Sequence, residues 1–561
     1  MFRSSVILQV FLKPLKVTGR LKMTARPSNV GIVLFRNDLR IHDNEAIFLA
    51  NKNCSQVLPL YCFDPRHFQG TYHYNFPKTG SHRAKFLLEC IADLKANLQR
   101  KGSDLVVRLG KPENVIPELM TNLNLGTDTM VVMQKEVTDE ELKVEKALKE
   151  KSKSKFETVW GHTLHHKEDL PFQIKHLPDV YTQFRKKVEG NTPIRKCFQL
   201  PDSLKPLPSN VEVGTIPTFQ DLHLSEPGRN PNSAFPFSGG ESAALERLEN
   251  YLWASDNVST YKETRNGMIG AEYSTKFSSW LAHGCISPRK IYWEIQKYEQ
   301  ERTANQSTYW VIFELLWRDY FRLVAMKFGN QLFFSSGIKG GHVQWKKNML
   351  HFKAWQEGKT GVPYVDANMR ELAASGFMSN RGRQNVASFL TKDLELDWRL
   401  GAEWFESMLI DHDVCSNYGN WLYSAGIGND PRENRKFNVV KQGLDYDGQG
   451  EYIRLWVPEL KEVKDGRVHC IWTASKTILD SSGVSLGETY PYPIVMAPEW
   501  SRHVNRPGSS HSASGGGFSS GKGPRGGSAR GRGGGRGRGH SDQSVGQKRG
   551  IDFYFKNSTP R

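Results

Sequence analysis

Glu314-Leu-Leu-Trp317-Arg318-Asp319-Tyr320-Phe321 decides the fold together with three later runs: Met378-Ser379-Asn380-Arg381-Gly382-Arg383-Gln384-Asn385, Asp397-Trp398-Arg399, and Asp411-His412-Asp413-Val414-Cys415-Ser416-Asn417-Tyr418-Gly419-Asn420-Trp421-Leu422-Tyr423. The first run reads as one helix in which Glu314 and Trp317, three apart, share a face that Arg318 and Phe321 extend. Tryptophans recur beside clusters of acid, amide and arginine. Any one of these rings reads as ordinary core, because large aromatics dominate burial. The set as a whole asks for a chemical reason.

Around these runs the apolar spacing is helical from about residue 240 to 460, with segments at 241–255, 275–283, 288–301, 309–328, 365–375, 385–393 and 401–410. An all-α domain over 241–505 is expected. Upstream the pattern changes. Short apolar runs at 30–35, 57–63, 104–109 and 129–133 alternate with helical patterns at 81–100, 112–122 and 138–151. Such alternation predicts a Rossmann-like parallel α/β sheet covered on both faces, spanning 29–165. It carries no Gly-x-Gly-x-x-Gly, so a dinucleotide site on this sheet lacks its usual fingerprint. Between the two domains, residues 166–240 are rich in Pro, Asn, Ser and Gly and read as a long connector, partly ordered at most. After about residue 505 the composition turns to Gly, Ser and Arg, too poor in apolar area to order itself, which makes 506–561 a disordered tail.

The net charge of +17 suggests nucleic acid until it is divided along the chain. Residues 1–28 hold six Lys/Arg and no acid, and residues 507–561 hold ten Lys/Arg against two Asp, which leaves only about +3 for the body. A nucleic-acid groove on the body must come from local asymmetry. The seven cysteines show neither Cys-x-x-Cys nor metal-ligand spacing, which fits a reducing compartment, nucleus or cytoplasm. No apolar run approaches the ~20 residues of a membrane span. Residues 1–22 are basic, acid-free and contain Ser, as a mitochondrial presequence would be; the competing account is an upstream start, with Met23 opening the body.

These residues resemble the photolyase/cryptochrome family from about residue 31 to 460. Phe35-Arg36-Asn37-Asp38-Leu39-Arg40-Ile41-His42-Asp43-Asn44 is similar to the family's opening signature, Phe-Arg-x-Asp-Leu-Arg-x-x-Asp-Asn. Ser379 to Asn385 and Trp421-Leu422-Tyr423 resemble its DASH branch rather than the common bacterial dimer photolyases. The resemblance implies a monomeric protein with FAD in the helical domain and an antenna pigment, usually a methenyl folate, between the domains. Its pyrophosphate motif, Thr-Ser-x-Leu-Ser, becomes Ser274-Thr275-Lys276-Phe277-Ser278 here; hydroxyl chemistry survives, so the role passes to Ser274, Thr275 and Ser278, with Tyr261 on the phosphate side. The same segment reads as a plain helix N-cap. Arg383, Asp411 and Asp413 would meet the flavin ring edge, with Asn417 near N5; Arg383 with Asp411 also reads as a buried ion pair. Trp421, Trp398 and Trp345 match the family's electron chain from flavin to surface, while Trp355 reads as structural. Glu136 matches the acidic pterin contact, or is an ordinary strand-end charge.

In this resemblance Glu314, Trp317, Asn380, Gln384 and Tyr423 line a lesion pocket, with Trp317 as stacking wall and Glu314 and Asn380 as polar contacts. Bacterial dimer photolyases carry Met where Gln384 stands and Trp where Tyr423 stands. Less stacking means less return for flipping a pyrimidine dimer out of a duplex, so single-stranded DNA is the expected substrate. Two other classes compete. A blue-light receptor or transcriptional regulator would bind flavin and DNA or RNA without turnover, which the Arg-Gly tail favours. An ordinary electron-transfer flavoprotein would share the α/β start but leave the tryptophans unexplained. The tail itself reads as a weak RNA or single-strand binder or as a solubilising segment. At its end, Lys548 to Phe555 resembles the peptide that docks on the eukaryotic sliding clamp, Gln-x-x-aliphatic-x-x-aromatic-aromatic, with Lys548 where Gln is usual; a chance aromatic cluster is the alternative.

Overall fold

The computed structural model describes residues 28–199, 201–432, 435–500 and 503. The basic extension, the Arg-Gly tail and residues 548–555 lie outside the described residues.

Five parallel strands form one sheet in the order β3-β2-β1-β4-β5. They are β1 (Ser28–Phe35), β2 (Cys54–Phe63), β3 (Val106–Leu109), β4 (Met130–Gln134) and β5 (Lys155–Val159). The crossovers carry α1 (Glu45–Asn53), α2 (Ser81–Arg100), α3 (Pro112–Asn122) and α4 (Asp139–Ser152). The two-residue period of a strand sends side chains alternately to the two faces. Ile32, Leu34, Leu58, Leu60, Val131 and Met133 pack with Ile116, Leu119 and Leu148 of α3 and α4. Val33, Phe35, Tyr61, Phe63 and Val132 point the other way, onto α1 and α2, into a core that runs unbroken into the helical domain. β5 had no apolar run to announce it, because most of its residues stay at least partly exposed at the sheet edge.

The connector is better ordered than its composition implies. It holds a helix, Tyr181–Asn191, whose Tyr181, Phe184 and Val188 are buried. Val57 N–H donates to the Pro206 carbonyl at 3.0 Å and Val107 N–H to the Val213 carbonyl at 2.8 Å, so the chain covers backbone groups of β2 and β3 that no strand pairs. In the helical domain the longest helix, Gln306–Phe328, begins before its first strongly apolar stretch, because Asn305 and Thr308 form a capping box. The helix Val414–Ala425 lies close to it, and a Cβ at Gly419 would stand 2.3 Å from Cδ1 of Phe321.

The family-like signature after β1 turns out to be a clasp between the domains. Leu39 N–H donates to the His283 carbonyl at 3.1 Å, and Arg40 Nη1 donates to the Gly284 carbonyl at 2.8 Å. Glu241 accepts from the Ile41 and His42 N–H groups at 2.7 and 2.9 Å. Asp43 accepts from Arg289 Nε and Nη2 at 2.9 and 2.8 Å and from Phe198 N–H at 2.8 Å. Side-chain exposure is 0% for Asp43 and 2% for Arg289, which makes this a fully desolvated ion pair. Gly284 is required where it stands: its φ is +68°, and a Cβ would lie 1.9 Å from the Asn37 carbonyl oxygen.

Removing one partner of a buried pair strands the other charge. Asp43→Ala should therefore cost about 3–5 kcal/mol of stability, read as a lower urea midpoint for the whole two-domain unit; a midpoint within error of the parent would show that the clasp holds nothing.

Candidate active site

A cleft in the helical domain, with about 1180 Å³ free of protein atoms including its open mouth, brings together residues from five separate stretches of chain. Part of the lining comes from the loop before a short helix, Ser278–Ala282. Ser274 and Ser278 line the cleft together with Tyr261, whereas Thr275 is not among the lining residues. The expected helix N-terminus is weaker than the sequence suggests, since that helix has only five residues and little macrodipole. A different group takes the electrostatic role. Lys276 is 3% exposed, lines the cleft, and its Nζ has no hydrogen-bond partner; it sits 3.1 Å from the Tyr273 ring centroid and 4.9 Å from that of Phe377. Burial holds its amine well below the usual lysine range. An anion bound beside this amine would favour its charged form, as the Glu371 carboxylate already does in part. The sequence motif carried Lys276 in plain view, but only its burial shows what it lacks.

Further lining comes from Arg383, on the helix Asn380–Ser388, and from the Asp411–Asp413 turn. Arg383 Nη2 donates to Asp411 Oδ2 at 2.8 Å and its Nε to the Met378 carbonyl at 2.9 Å. Asp411 Oδ1, buried, has no partner and remains free to accept a ring N–H. Asp413 caps the helix Val414–Ala425 by accepting from Ser416 N–H at 2.8 Å. Burial alone would raise its pKa, but Arg322 and Arg318 outweigh that and hold it low. Asn417 donates from Nδ2 to the Ala402 carbonyl at 2.9 Å, which fixes the amide. The donor set suits a dinucleotide with an anionic middle and a polar ring edge, so the residues present fit FAD.

Glu314, Asn380 and Gln384 also line the cleft. Burial raises the Glu314 pKa, against the pull of Arg265 and Arg381, and Arg265 pairs with it directly. Gln384 accepts from Arg381 Nη1 at 2.6 Å, which leaves its amide N–H groups available. Trp317 and Tyr423 are not lining residues; they meet each other edge to face at 5.8 Å. One face of Trp317 is covered by Tyr181 from the connector helix, stacked at 3.7 Å and 8°. Nothing in the sequence near Tyr181 signalled this contact. The Tyr423 hydroxyl accepts from Arg432 Nη2 at 3.2 Å.

Trp421 lines the cleft and packs into the helix Trp398–Met408 at Gly401, where a Cβ would lie 2.1 Å from Trp421 Cη2. Trp398 is fully buried and Trp345 half-buried; their indole N–H groups donate to the same carbonyl, Ser335, at 3.2 and 3.1 Å. The shared carbonyl holds Trp398 and Trp345 close together, while Trp421 meets the Trp398 helix at Gly401. Trp355 also stands near Trp421, at 6.3 Å, so proximity alone does not single out Trp398. Glu136 lies outside the cleft, 3% exposed. It meets His162 Nε2 at 2.9 Å and accepts from Arg322 Nη1 at 3.0 Å and Asn37 Nδ2 at 3.4 Å.

A parallel sheet domain clasped to a helical domain with this cleft defines a photolyase-type flavoprotein. Residues 31–206 match the family model described as DNA photolyase, and residues 310–506 match the FAD binding domain of DNA photolyase. Proteins named Cryptochrome DASH from Xenopus laevis and Danio rerio are each 59% identical over 537 and 535 residues, covering 95% of this chain and 99% of theirs. The crystal structure of Synechocystis sp. PCC6803 cryptochrome superposes with a TM-score of 0.81 at 48% identity, over 86% of this chain and 99% of that one. A bacterial class III photolyase from Agrobacterium tumefaciens gives 0.72 at 29% identity, over 86% and 98%. The chain belongs to the photolyase/cryptochrome family, in its cryptochrome DASH group.

Two outcomes follow from this geometry. Lys276→Met should weaken FAD binding by about 10- to 100-fold, the worth of a charge-assisted hydrogen bond, measured by calorimetric titration of apoprotein; unchanged affinity would assign the phosphates to the hydroxyls alone. Trp398→Phe should abolish photoreduction while FAD content stays at one per chain, and full photoreduction in that variant would remove Trp398 from the path.

Proposed function

We propose that this protein repairs cyclobutane pyrimidine dimers in a light-driven reaction, preferentially in single-stranded DNA. The observation that carries the reading is the join of two sets of groups in one cleft: Lys276, Arg383, Asp411 and Asn417 at the FAD seat, and Glu314, Asn380 and Gln384 along the same wall. FAD, when bound and reduced, supplies the light absorption and the electron that opens the dimer. The chain supplies the rest. Glu314, its pKa raised by burial, can hold a proton toward a pyrimidine carbonyl, and the amides of Asn380 and Gln384 match carbonyl and N–H edges. Trp345, Trp398 and Trp421 offer electrons inward, and Arg383 places a fixed positive charge beside the ring edge.

The surroundings of Trp317 and Tyr423 support the preference for single strands. Trp317 has one face taken by Tyr181, and the Tyr423 hydroxyl is held by arginine, so a flipped dimer gains less stacking than a duplex demands. Unpairing costs a few kcal/mol that a single strand does not impose. A methenyl folate antenna belongs to the same reading, with Glu136 as its acidic contact; the 3.4 Å bond from Asn37 is the one that would yield to a pterin. The same reduced stacking supports the second reading, a blue-light receptor or regulator that binds FAD and DNA or RNA with little turnover.

Illumination of the reduced, FAD-loaded protein with dimer-containing single strands and duplexes in parallel, at one salt concentration, separates these. Repair should be clearly faster on single strands. Equal rates would dismiss the stacking argument, and no repair of either would favour the receptor. Salt must be matched because phosphate contacts dominate affinity.

A further inference from the structure

Next to the middle tryptophan of the path stands a tyrosine with its own base. The ring of Tyr418 lies 5.9 Å from that of Trp398, edge to face at 87°. Its hydroxyl donates to Glu406 Oε2 at 3.3 Å. Both residues are buried, Tyr418 at 5% and Glu406 at 8% exposure, and Phe333 closes the other side of the phenol at 4.8 Å. Trp398 itself has no base within reach, because its N–H donates to the Ser335 carbonyl, and a backbone carbonyl cannot keep a proton. A phenol that loses an electron becomes a strong acid, so its oxidation is easy only where a base can take the proton at once.

We propose that Tyr418 and Glu406 form a redox-active side branch of the tryptophan path. The oxidant is the Trp398 radical cation left after an electron has moved inward, so the proposal rests on the photoreduction reading above. One electron passes from the Tyr418 phenol to Trp398, and the hydroxyl proton passes to the Glu406 carboxylate. The O–H bond of the phenol breaks, an O–H bond forms on Glu406, and the products are neutral Trp398, a neutral tyrosyl radical and a protonated carboxyl. Charge is conserved: a cation and an anion become two neutral groups, with the Trp398 cation reduced and Tyr418 oxidised. The hole is then held in the protein interior without a charge to draw the electron back, and its return requires the proton to move as well.

The carboxylate has the right affinity for this task. Burial is the main influence and lifts the Glu406 pKa to about 7, with Glu140 and Glu403 adding to the rise and Lys78 and Arg83 opposing it. A base is most effective when its pKa lies near the working pH. Trp355, beside Trp421, lacks this arrangement. It donates its N–H to the Val386 carbonyl, and its neighbours Phe352 and Phe405 have no acidic proton to give.

The test uses the full-length, FAD-loaded protein under pulsed blue light, read by electron paramagnetic resonance and by infrared difference spectra. The wild type should show a tyrosyl signal whose line shape changes when tyrosine is supplied deuterated, together with a new carboxylic-acid carbonyl band. Tyr418→Phe should lose both, and Glu406→Gln should lose both while Glu406→Asp restores them in part. Lowering the pH from about 8 to about 6 should diminish the signal, because a protonated Glu406 can accept nothing. FAD content and melting temperature of each variant establish that it is folded. Tryptophan radicals without a tyrosyl component in the wild type, or a tyrosyl signal indifferent to Tyr418→Phe, would overturn the branch and leave the tryptophan path standing. The absence of any protein radical in the wild type would overturn both.

Discussion

Desolvated charge at the domain seam governs this structure. Asp43 and Arg289 are shut off from water, and their pairing exists only when the turn after β1 meets the helix Pro288–Glu301. Such a pair need not add net stability, since desolvation offsets much of its attraction, but it makes every misaligned docking costly. Glu241 repeats the logic by accepting two backbone N–H groups of the same turn, and Glu403 does so on another side by accepting from Thr71 Oγ1 at 2.6 Å and from the His73 and Tyr74 N–H groups at 2.9 Å. The core continues across the seam between these clasps. The two domains therefore form one continuous frame for the cleft.

Within that frame the cleft keeps groups that are not yet satisfied. Lys276 Nζ and Asp411 Oδ1 are buried and unpartnered, an arrangement native interiors tolerate at few places. Both residues line the same cleft, and a ligand that is anionic in one part and a hydrogen-bond donor in another would offset their cost. Arg322 ties this site to the seam: it bonds Glu136 at 3.0 Å and stands 3.7 Å from Asp413. Burial opposes ionisation of Glu136, but His162 and Arg322 overcome it and hold the group well below the usual carboxylate range. A change at Glu136 would thus be felt by the residue that caps the cleft helix.

The connector does more than join. Its helix places Tyr181 flat on Trp317, so a segment that looks like a spacer covers one face of that ring. Its backbone also covers parts of β2 and β3 that would otherwise present unpaired N–H groups to water or to another chain.

The strands β1 to β4, helices α2 to α4 and the helical character of the second domain were legible because they depend on local periodicity, which the chain carries residue by residue. The cleft residues from Arg383 to Trp421 were legible for a second reason: they lie in compact motifs whose spacing survives in one dimension. β5 was not legible, since an exposed edge strand has no apolar pattern. Nor was the role of the opening signature, because Asp43 and Arg289 are far apart in sequence and neither says alone that it will be buried. The solitary state of Lys276, the covering of Trp317 by Tyr181, and the pairing of Tyr418 with Glu406 beside Trp398 all depend on which groups exclude water from which others. Exclusion of water is a property of packing, so only the tertiary structure could decide it.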